Sequence, residues 1–373
     1  MPKLLYITPA NQDLVGIWKK IQMQINYFKS QQIEVDMLDV KRHGNNRILT
    51  EIIRRIPFTG IHKWKINEDL VTGRDYIYIR YEGCDFQFIR SIKKIKRLNS
   101  KIKIIVEIPT YPYDNEVKLS IRSLMVLLKD RWNRRKLHRY VDRILTFSND
   151  EQIFRIPTIE LSNAIDIKSI KPKNVTEDTE TINLIAVANY AHWHGYDRFI
   201  KGMHNYYNNK DEQKKTNIVL HLVGEGKEIL EYRSLVNKYN LQKNVVFYGR
   251  KEGNELDEIY NHCDIGIDAL GRHRSNIFYN STLKGKEYGA KGLPIISGVK
   301  TELDYDEKYK YYTRVPADES PIEMEQVISF YNQIYNTGDS KENIIFNIRK
   351  YTEDNFDISV SLKKVVDYLR ENS

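Results

Sequence analysis

Residues 281–298 read STLKGKEYGAKGLPIISG. Asn280, Ser281 and Thr282 are good helix caps, Gly292 supplies a left-handed stop and Pro294 follows it, so the spacing predicts a helix from about Leu283 to Lys291. The apolar LPIIS that comes next has the composition of a short buried strand. A charged helix running into a buried strand is ordinary in α/β sheets, where ligands gather at the strand-to-helix turns. Such a helix points its first-turn amides and the positive end of its dipole at the turn, and Lys284 adds a full charge, which together suit a phosphate. Glu287 lies one turn on along the same face, where a carboxylate can accept hydrogen bonds from two adjacent hydroxyls such as those of a ribose. The alternative is a Lys284–Glu287 ion pair on a wet helix face. Lys286 lies on another face and reads as solvated.

The pattern extends in both directions. KLLYITPA, IEVDMLDV, DYIYIRY and KIKIIVEIP alternate with helical runs such as IWKKIQMQINYFKSQQ and IRSIKKIKRLN. This is the signature of parallel strands with crossover helices. VDRILTFSNDEQIFRIPTIELSNAID adds two strands around a short helix, and the polar IKSIKPKNVTEDTET that follows reads as a linker. The pattern then restarts with INLIAVANY, NIVLHLVGEG, NVVFYGR, CDIGIDAL and LPIISG. The expectation is two facing α/β domains with a cleft between them. The first spans residues 1–170 plus an amphipathic carboxyl-terminal helix, 356–373; the second spans 171–355.

A chain of 373 residues is long enough for two cores, and 41% hydrophobic with 29% charged residues is a globular composition. Its start, MPKLLYITPA, is too short an apolar run for a signal peptide and reads as a first strand, so a cytoplasmic location is expected. Cys84 and Cys263 have no metal-ligand or disulfide spacing. Residues 1–175 hold 33 Lys/Arg against 19 Asp/Glu, a balance of +14, which leaves 59 − 33 = 26 against 50 − 19 = 31 beyond them. The basic half implies a polyanionic partner. Much of the excess sits in VKLSIRSLMVLLKDRWNRRKLHRYVDR, where Leu124, Val126, Leu127 and Leu128 lie beside Arg131, Arg134, Arg135, Lys136 and Arg139, with Trp132 between. That mixture suits a helix at an anionic membrane surface, or else a core helix with a solvated basic end. No recognition motif for nucleic acid accompanies it.

Other turns offer candidates. Gly224 and Gly226 form a Gly-x-Gly that a tight turn requires with or without a ligand, and Arg250 is either a diphosphate clamp or a solvated loop arginine. In EIPTYPYDNE, Tyr111 and Tyr113 are candidates for a wall against a sugar ring. Glu107, ending an apolar strand, is a carboxylate whose pKa burial would raise, fitting it for proton exchange; a satisfied structural glutamate is the alternative. Arg80, ending YIYIRY, is a candidate for the same lining. Asp304 and Asp306 form an Asp-x-Asp, but in a crowded polar loop.

The order VANYAHWHGYDRFIKGM, LVGEG, NVVFYGR, CDIGIDAL and LKGKEYGAKGLPIISG resembles the carboxyl-terminal domain of the GT-B glycosyltransferases, specifically the family 4 group that assembles bacterial polysaccharides. GIWKKIQMQINYF, VEIPTYPYDNE and IELSNAID extend the resemblance across the first domain, with Ala164 where the family has glycine. The resemblance implies a nucleotide-sugar donor, UDP- or GDP-linked, held mainly by the second domain. It also implies a glycan or lipid diphosphate-linked acceptor on the first, at the inner face of the cytoplasmic membrane, and retaining chemistry without a metal or other cofactor. Carried over by position, Glu287 binds the ribose, and Lys284 with the amides of Ser281, Thr282 and Leu283 binds the diphosphate. Arg250 lies on the base or diphosphate side, Asn189 and Gly16 line the donor site, and Arg80, Tyr111 and Tyr113 face the acceptor. Glu107, His194 and Lys284 are the candidate catalytic groups. Two departures stand out: Tyr279 replaces a family glutamate, and Asn189 with His194-Gly195 replaces an Arg and a Lys-Gly, so His194, as a neutral donor or a partly protonated cation, shares the diphosphate pocket. A sugar-nucleotide 2-epimerase and a non-catalytic subunit of a glycan assembly complex are the alternatives.

Overall fold

A computed structural model describes residues 1–9, 15–40, 53, 56, 58–60, 62, 64–114, 121–175, 180–209 and 215–371. The chain divides into two compact units, Met1–Ser162 with Ile358–Ser373, and Asn163–Asp357. The second unit begins before residue 170 because Ile165 and Ile167 are buried against Ala290, so the segment expected to end the first domain belongs to the second core. The polar stretch read as a linker also lies on that unit, where Lys173 donates from its backbone to the Lys291 carbonyl; residues 176–179 lie outside the described residues.

In the first unit, strands β1 (Lys3–Thr8), β2 (Glu34–Asp39), β3 (Tyr76–Arg80), β4 (Lys103–Ile108), β5 (Arg143–Thr146), β6 (Gln152–Ile153) and β7 (Ile156–Glu160) form one sheet in the order 2-1-3-4-5-7-6. All pairings are parallel except β6 with β7. Leu4, Leu5, Tyr6 and Ile7 of β1 are all buried, as a strand covered on both faces requires. Helices α1 (Val15–Ser30), α2 (Phe86–Leu98) and α3 (Ile121–Arg134) belong to this unit. Where a short helix was expected after β5, the chain makes a tight hairpin between β6 and β7, with Phe154 and Arg155 both at positive φ.

The second unit carries β8 (Thr181–Val187), β9 (Asn217–Val223), β10 (Val245–Gly249), β11 (Ile265–Ile267), β12 (Ile295–Ser297) and β13 (Tyr312–Arg314), all parallel, in the order 10-9-8-11-12-13. This is the doubly wound dinucleotide-fold order, and its direction reverses between β8 and β11. Helices α4 (Tyr196–Asn208), α5 (Ile229–Lys238), α6 (Gly253–Asn261), α7 (Leu283–Lys291), α8 (Met324–Tyr335) and α9 (Lys341–Phe356) accompany the strands. The tail, expected as one helix, is two: α10 (Ile358–Ser361) and α11 (Lys363–Glu371) return to the first unit, where Tyr27 donates to the Ser359 carbonyl at 3.1 Å and Tyr76 meets Tyr368 edge-on.

Gly224 and Gly226 take φ of +128° and +144°, and a Cβ on either would fall 1.9 Å from the Ala188 carbonyl oxygen or 2.3 Å from the Tyr190 amide nitrogen. The Gly-x-Gly therefore lets the turn after β9 press against the turn after β8, sealed by Tyr190 N–H donating to the Glu225 carbonyl. Among its two readings, the structure gives it this packing role.

Candidate functional site

Helix α7 begins and ends as its sequence dictates. Thr282 is extended and its Oγ1 accepts from the Gly285 amide at 3.3 Å, while Gly292 closes the helix at φ 81°. The Leu283 and Lys284 amides are left without helical partners. Gly266 in β11 has no side chain, and the Tyr288 ring fills that space, so α7 lies close on β11 and its first turn sits over the end of that strand. The site thus forms at the reversal point of the sheet, the place where doubly wound folds hold ligands.

Lys284 is half-buried, with its Nζ 3.1 Å from Nε2 of His194. His194 comes from the Trp193-flanked turn after β8 and is itself buried, stacked on Tyr196. Burial, aided by the nearby Lys284 and Arg272 cations, lowers its pKa to about 2, which favours the neutral imidazole of the two expected forms. Burial likewise pulls the Lys284 pKa below the ordinary lysine value; Asp268 and Glu287 oppose this and Arg272 adds to it.

This turn is fixed by a second one. Leu270 and Gly271 donate backbone hydrogen bonds to the carbonyls of His194 and Trp193, and Arg274 clamps Asp197 with two bonds of 2.9 and 3.0 Å and reaches the His192 carbonyl. Arg198, fully buried, donates to carbonyls of Ser320 and Pro316 at 2.8 and 2.9 Å and also to Leu270. Sequence reading passed over Asp268, Arg272, Arg274 and Arg198. The signal for Asp268 is in the sequence: it is an acid closing the apolar strand CDIGID, just as Glu107 falls at the end of apolar β4.

Other expected donor-site residues fall differently. Ser281 is buried and its hydroxyl is engaged, accepting from the Asn163 amide at 2.8 Å and donating to Glu302. Leu283 and Glu287 are half-buried on α7, and Asn189 is exposed just beyond β8. Arg250 is exposed beyond β10 and bonded to Glu252 at 2.6 and 2.9 Å, a local loop pair. Tyr279 leans on Tyr305. Lys286 is not solvated: it is 2% exposed, paired with Glu302 at 2.8 Å and set 3.9 Å over the Phe356 ring. The α7 face expected to meet water instead packs α9.

In the first unit Glu107 is completely buried and is bonded by Arg80 (2.5 Å), Gln24 (3.0 Å) and Tyr78, with Lys20 at 3.7 Å. Burial alone would raise its pKa, but the two cations and the hydrogen bonds outweigh it and hold it at about 2. The expected proton exchange is thereby overturned. Arg80 is correspondingly consumed by Glu107. Tyr113 spends its hydroxyl on Asp130 (2.8 Å) and its ring on Arg134 and Phe154, whereas Tyr111 stays half-exposed. Gly16 falls inside the first turn of α1; the preceding residues 10–14 lie outside the described residues. Asp304 accepts from Thr301, Tyr312 and Arg314, and Asp306 from Tyr351, so the two carboxylates serve separate partners. Among the described residues no cluster of His, Cys, Asp and Glu is placed to hold a metal ion, and no helix is long and apolar enough to cross a membrane.

Residues 167–267 match the family model described as Glycosyl transferases group 1. Over its whole length the chain is similar to Alr3699/HepE of Anabaena, solved in complex with UDP, at 12% identity, full coverage of both chains and a TM-score of 0.62. It is similar to sucrose-phosphate synthase of Thermosynechococcus elongatus (14% identity, 100% of this chain and 99% of that one, TM-score 0.63) and to the lipopolysaccharide outer core galactosyltransferase WaaB (12%, full coverage of both, 0.61). No curated protein matches the sequence. The structural likenesses establish the two-domain GT-B fold.

Proposed function

We propose that this chain is a group 1 glycosyltransferase of the GT-B fold that moves a sugar from a nucleoside-diphosphate sugar to a glycan acceptor, lipid-linked and presented at a membrane surface. The observation that carries the donor assignment is the capped amino terminus of α7, with Lys284 in its first turn, placed at the reversal point of the second sheet. UDP in the Anabaena relative supports a uridine donor. Attack of an acceptor hydroxyl on the anomeric carbon, from the face the diphosphate leaves, forms the new C–O bond as the bond to the diphosphate oxygen breaks; the electron pair stays on the departing diphosphate, whose oxygen takes the hydroxyl proton. Lys284 and the free α7 amides are arranged to receive that growing negative charge, an electrostatic device that takes the place of a metal. Neutral His194 orients the Lys284 side chain, and Glu287 takes the ribose hydroxyls. Asn189, Gly16 and Thr282 contribute donor-side contacts, and Tyr111 the acceptor side, with Glu107 and Arg80 a buried structural pair at the ends of β4 and β3. Retention of configuration follows the family resemblance.

A panel of UDP- and GDP-sugars, with and without membrane extract and chelator, tests this reading. Acceptor-dependent release of nucleoside diphosphate that survives chelation is expected; an epimerised donor, or binding without turnover, would replace it. Glu287→Ala should weaken donor binding with the fold intact, and an unchanged affinity removes the ribose assignment.

A further inference from the structure

Asp268 closes β11 at the reversal point and is 1% exposed, yet neither carboxylate oxygen has a hydrogen-bond partner among the described residues. A buried carboxylate without a donor is costly and calls for a compensating charge. It lies under the first turn of α7: a Cβ built on Gly285 would stand 3.9 Å from its Oδ2, and the adjacent Lys284 feels its charge.

His194 cannot by itself decide the state of Lys284. Its Nδ1 lies 2.9 Å from the Ala191 amide nitrogen and 3.2 Å from the Ala191 carbonyl oxygen. With Nδ1 accepting from the amide, the ring proton sits on Nε2 and is donated to an uncharged Lys284 amine. With Nδ1 donating to the carbonyl, Nε2 is bare and accepts from an ammonium. Either tautomer completes its hydrogen bonds, so the choice falls to the surrounding charges. Those facing Lys284 are Asp268 from β11, Glu287 from its own helix, Arg272 from the turn after β11, and the neutral His194. Arg272 favours the uncharged amine. Glu287 is half-buried and its field is screened by water, whereas Asp268 is enclosed and its field is screened less. Tyr196, Tyr288 and Tyr312 are the titratable groups around Asp268, and all three are held neutral by burial.

We propose that Asp268 is a positioning residue for donor capture: its buried carboxylate is the fixed counter-charge that keeps Lys284 an ammonium at the amino terminus of α7 and thereby selects the Nδ1-protonated form of His194. The inference rests on the reading of Lys284 as the diphosphate ligand.

Two measurements test it on the full chain. Titration calorimetry with UDP at pH 6.5 and 8.5 compares the wild type with Asp268→Asn and Lys284→Ala; using the ratio of variant to wild-type affinity at each pH cancels the nucleotide's own phosphate titration. Removing the counter-charge lets Lys284 lose its proton earlier as pH rises. Asp268→Asn is therefore expected to lose more affinity relative to wild type at the higher pH than at the lower, by up to about tenfold for each pKa unit that the counter-charge supplies. A ratio that does not change with pH overturns the role of Asp268, while a loss of affinity in Lys284→Ala in the same experiment leaves the diphosphate reading standing. Unchanged affinity in Lys284→Ala overturns both. Nitrogen-15 spectra of the wild-type imidazoles need no variant to fold: a bare Nε2 on His194 at pH 7.5 supports the inference, and a protonated Nε2 overturns it.

Discussion

Glu107 sits enclosed at the end of β4, where a lone carboxylate would take up a proton, but Arg80 and Lys20 meet it there and reverse the balance. Lys20 in turn loses affinity for its proton, with burial bringing its pKa to about 8. Because the Glu107 pKa is depressed below the unfolded value, its contribution to stability is present above pH 4.5 and is lost as pH falls toward 2. The depression corresponds to about 3 kcal/mol. Acid unfolding of the wild type should therefore steepen between pH 4.5 and 2, and Glu107→Gln should be less stable at pH 7 yet show a flatter acid limb in denaturant titrations; parallel limbs would contradict the assignment. Reading the sequence found Glu107 and Arg80 as residues worth attention but could not pair them. Their register, Arg80 opposite Glu107, exists only once β3 and β4 are neighbours. Lys286 carries the same lesson: helical spacing places it away from Lys284, and only the packing of α9 decides that this face is buried.

The elements themselves were largely legible. Alternating apolar runs located the strands, and α7 has the boundaries that its cap and stop residues require. What misled was the stretch after β5, where polar residues resembling a helix start make a hairpin through two positive-φ residues, a conformation visible only in context. The glycine turn after β9 makes a sharper case, since its glycines are needed by the neighbouring backbone. Gly226→Ala should destabilise the chain by at least about 2 kcal/mol, because the backbone is strained and Tyr190 cannot yield. Chemical denaturation measures this, and a neutral substitution would show that the two turns can separate.

At the scale of the whole molecule the basic excess is less free than the sequence suggests. Arg131 and Arg134 are tied to Asp114, and Arg134 also to Asp130. Leu128 and Trp132 of α3 nevertheless stand exposed at 54% and 62%, and with Phe58, Phe86 and Met125 they line an apolar groove of ≈ 370 Å³ edged by Lys136. If this face meets a membrane, the chain should sediment with anionic vesicles, detach as salt rises, and lose most binding in Leu128→Ser/Trp132→Ser; equal binding to neutral vesicles would contradict the electrostatic part. The sequence alone determined the two α/β domains and the capped helix α7, because these depend on periodicity and on residues a few places apart. Only the tertiary structure decided which charges are spent and which stand ready, as for Glu107, Lys286 and Arg250 against Lys284 and Asp268. The state of a charge depends on burial and on partners far away in the chain, which local spacing does not encode.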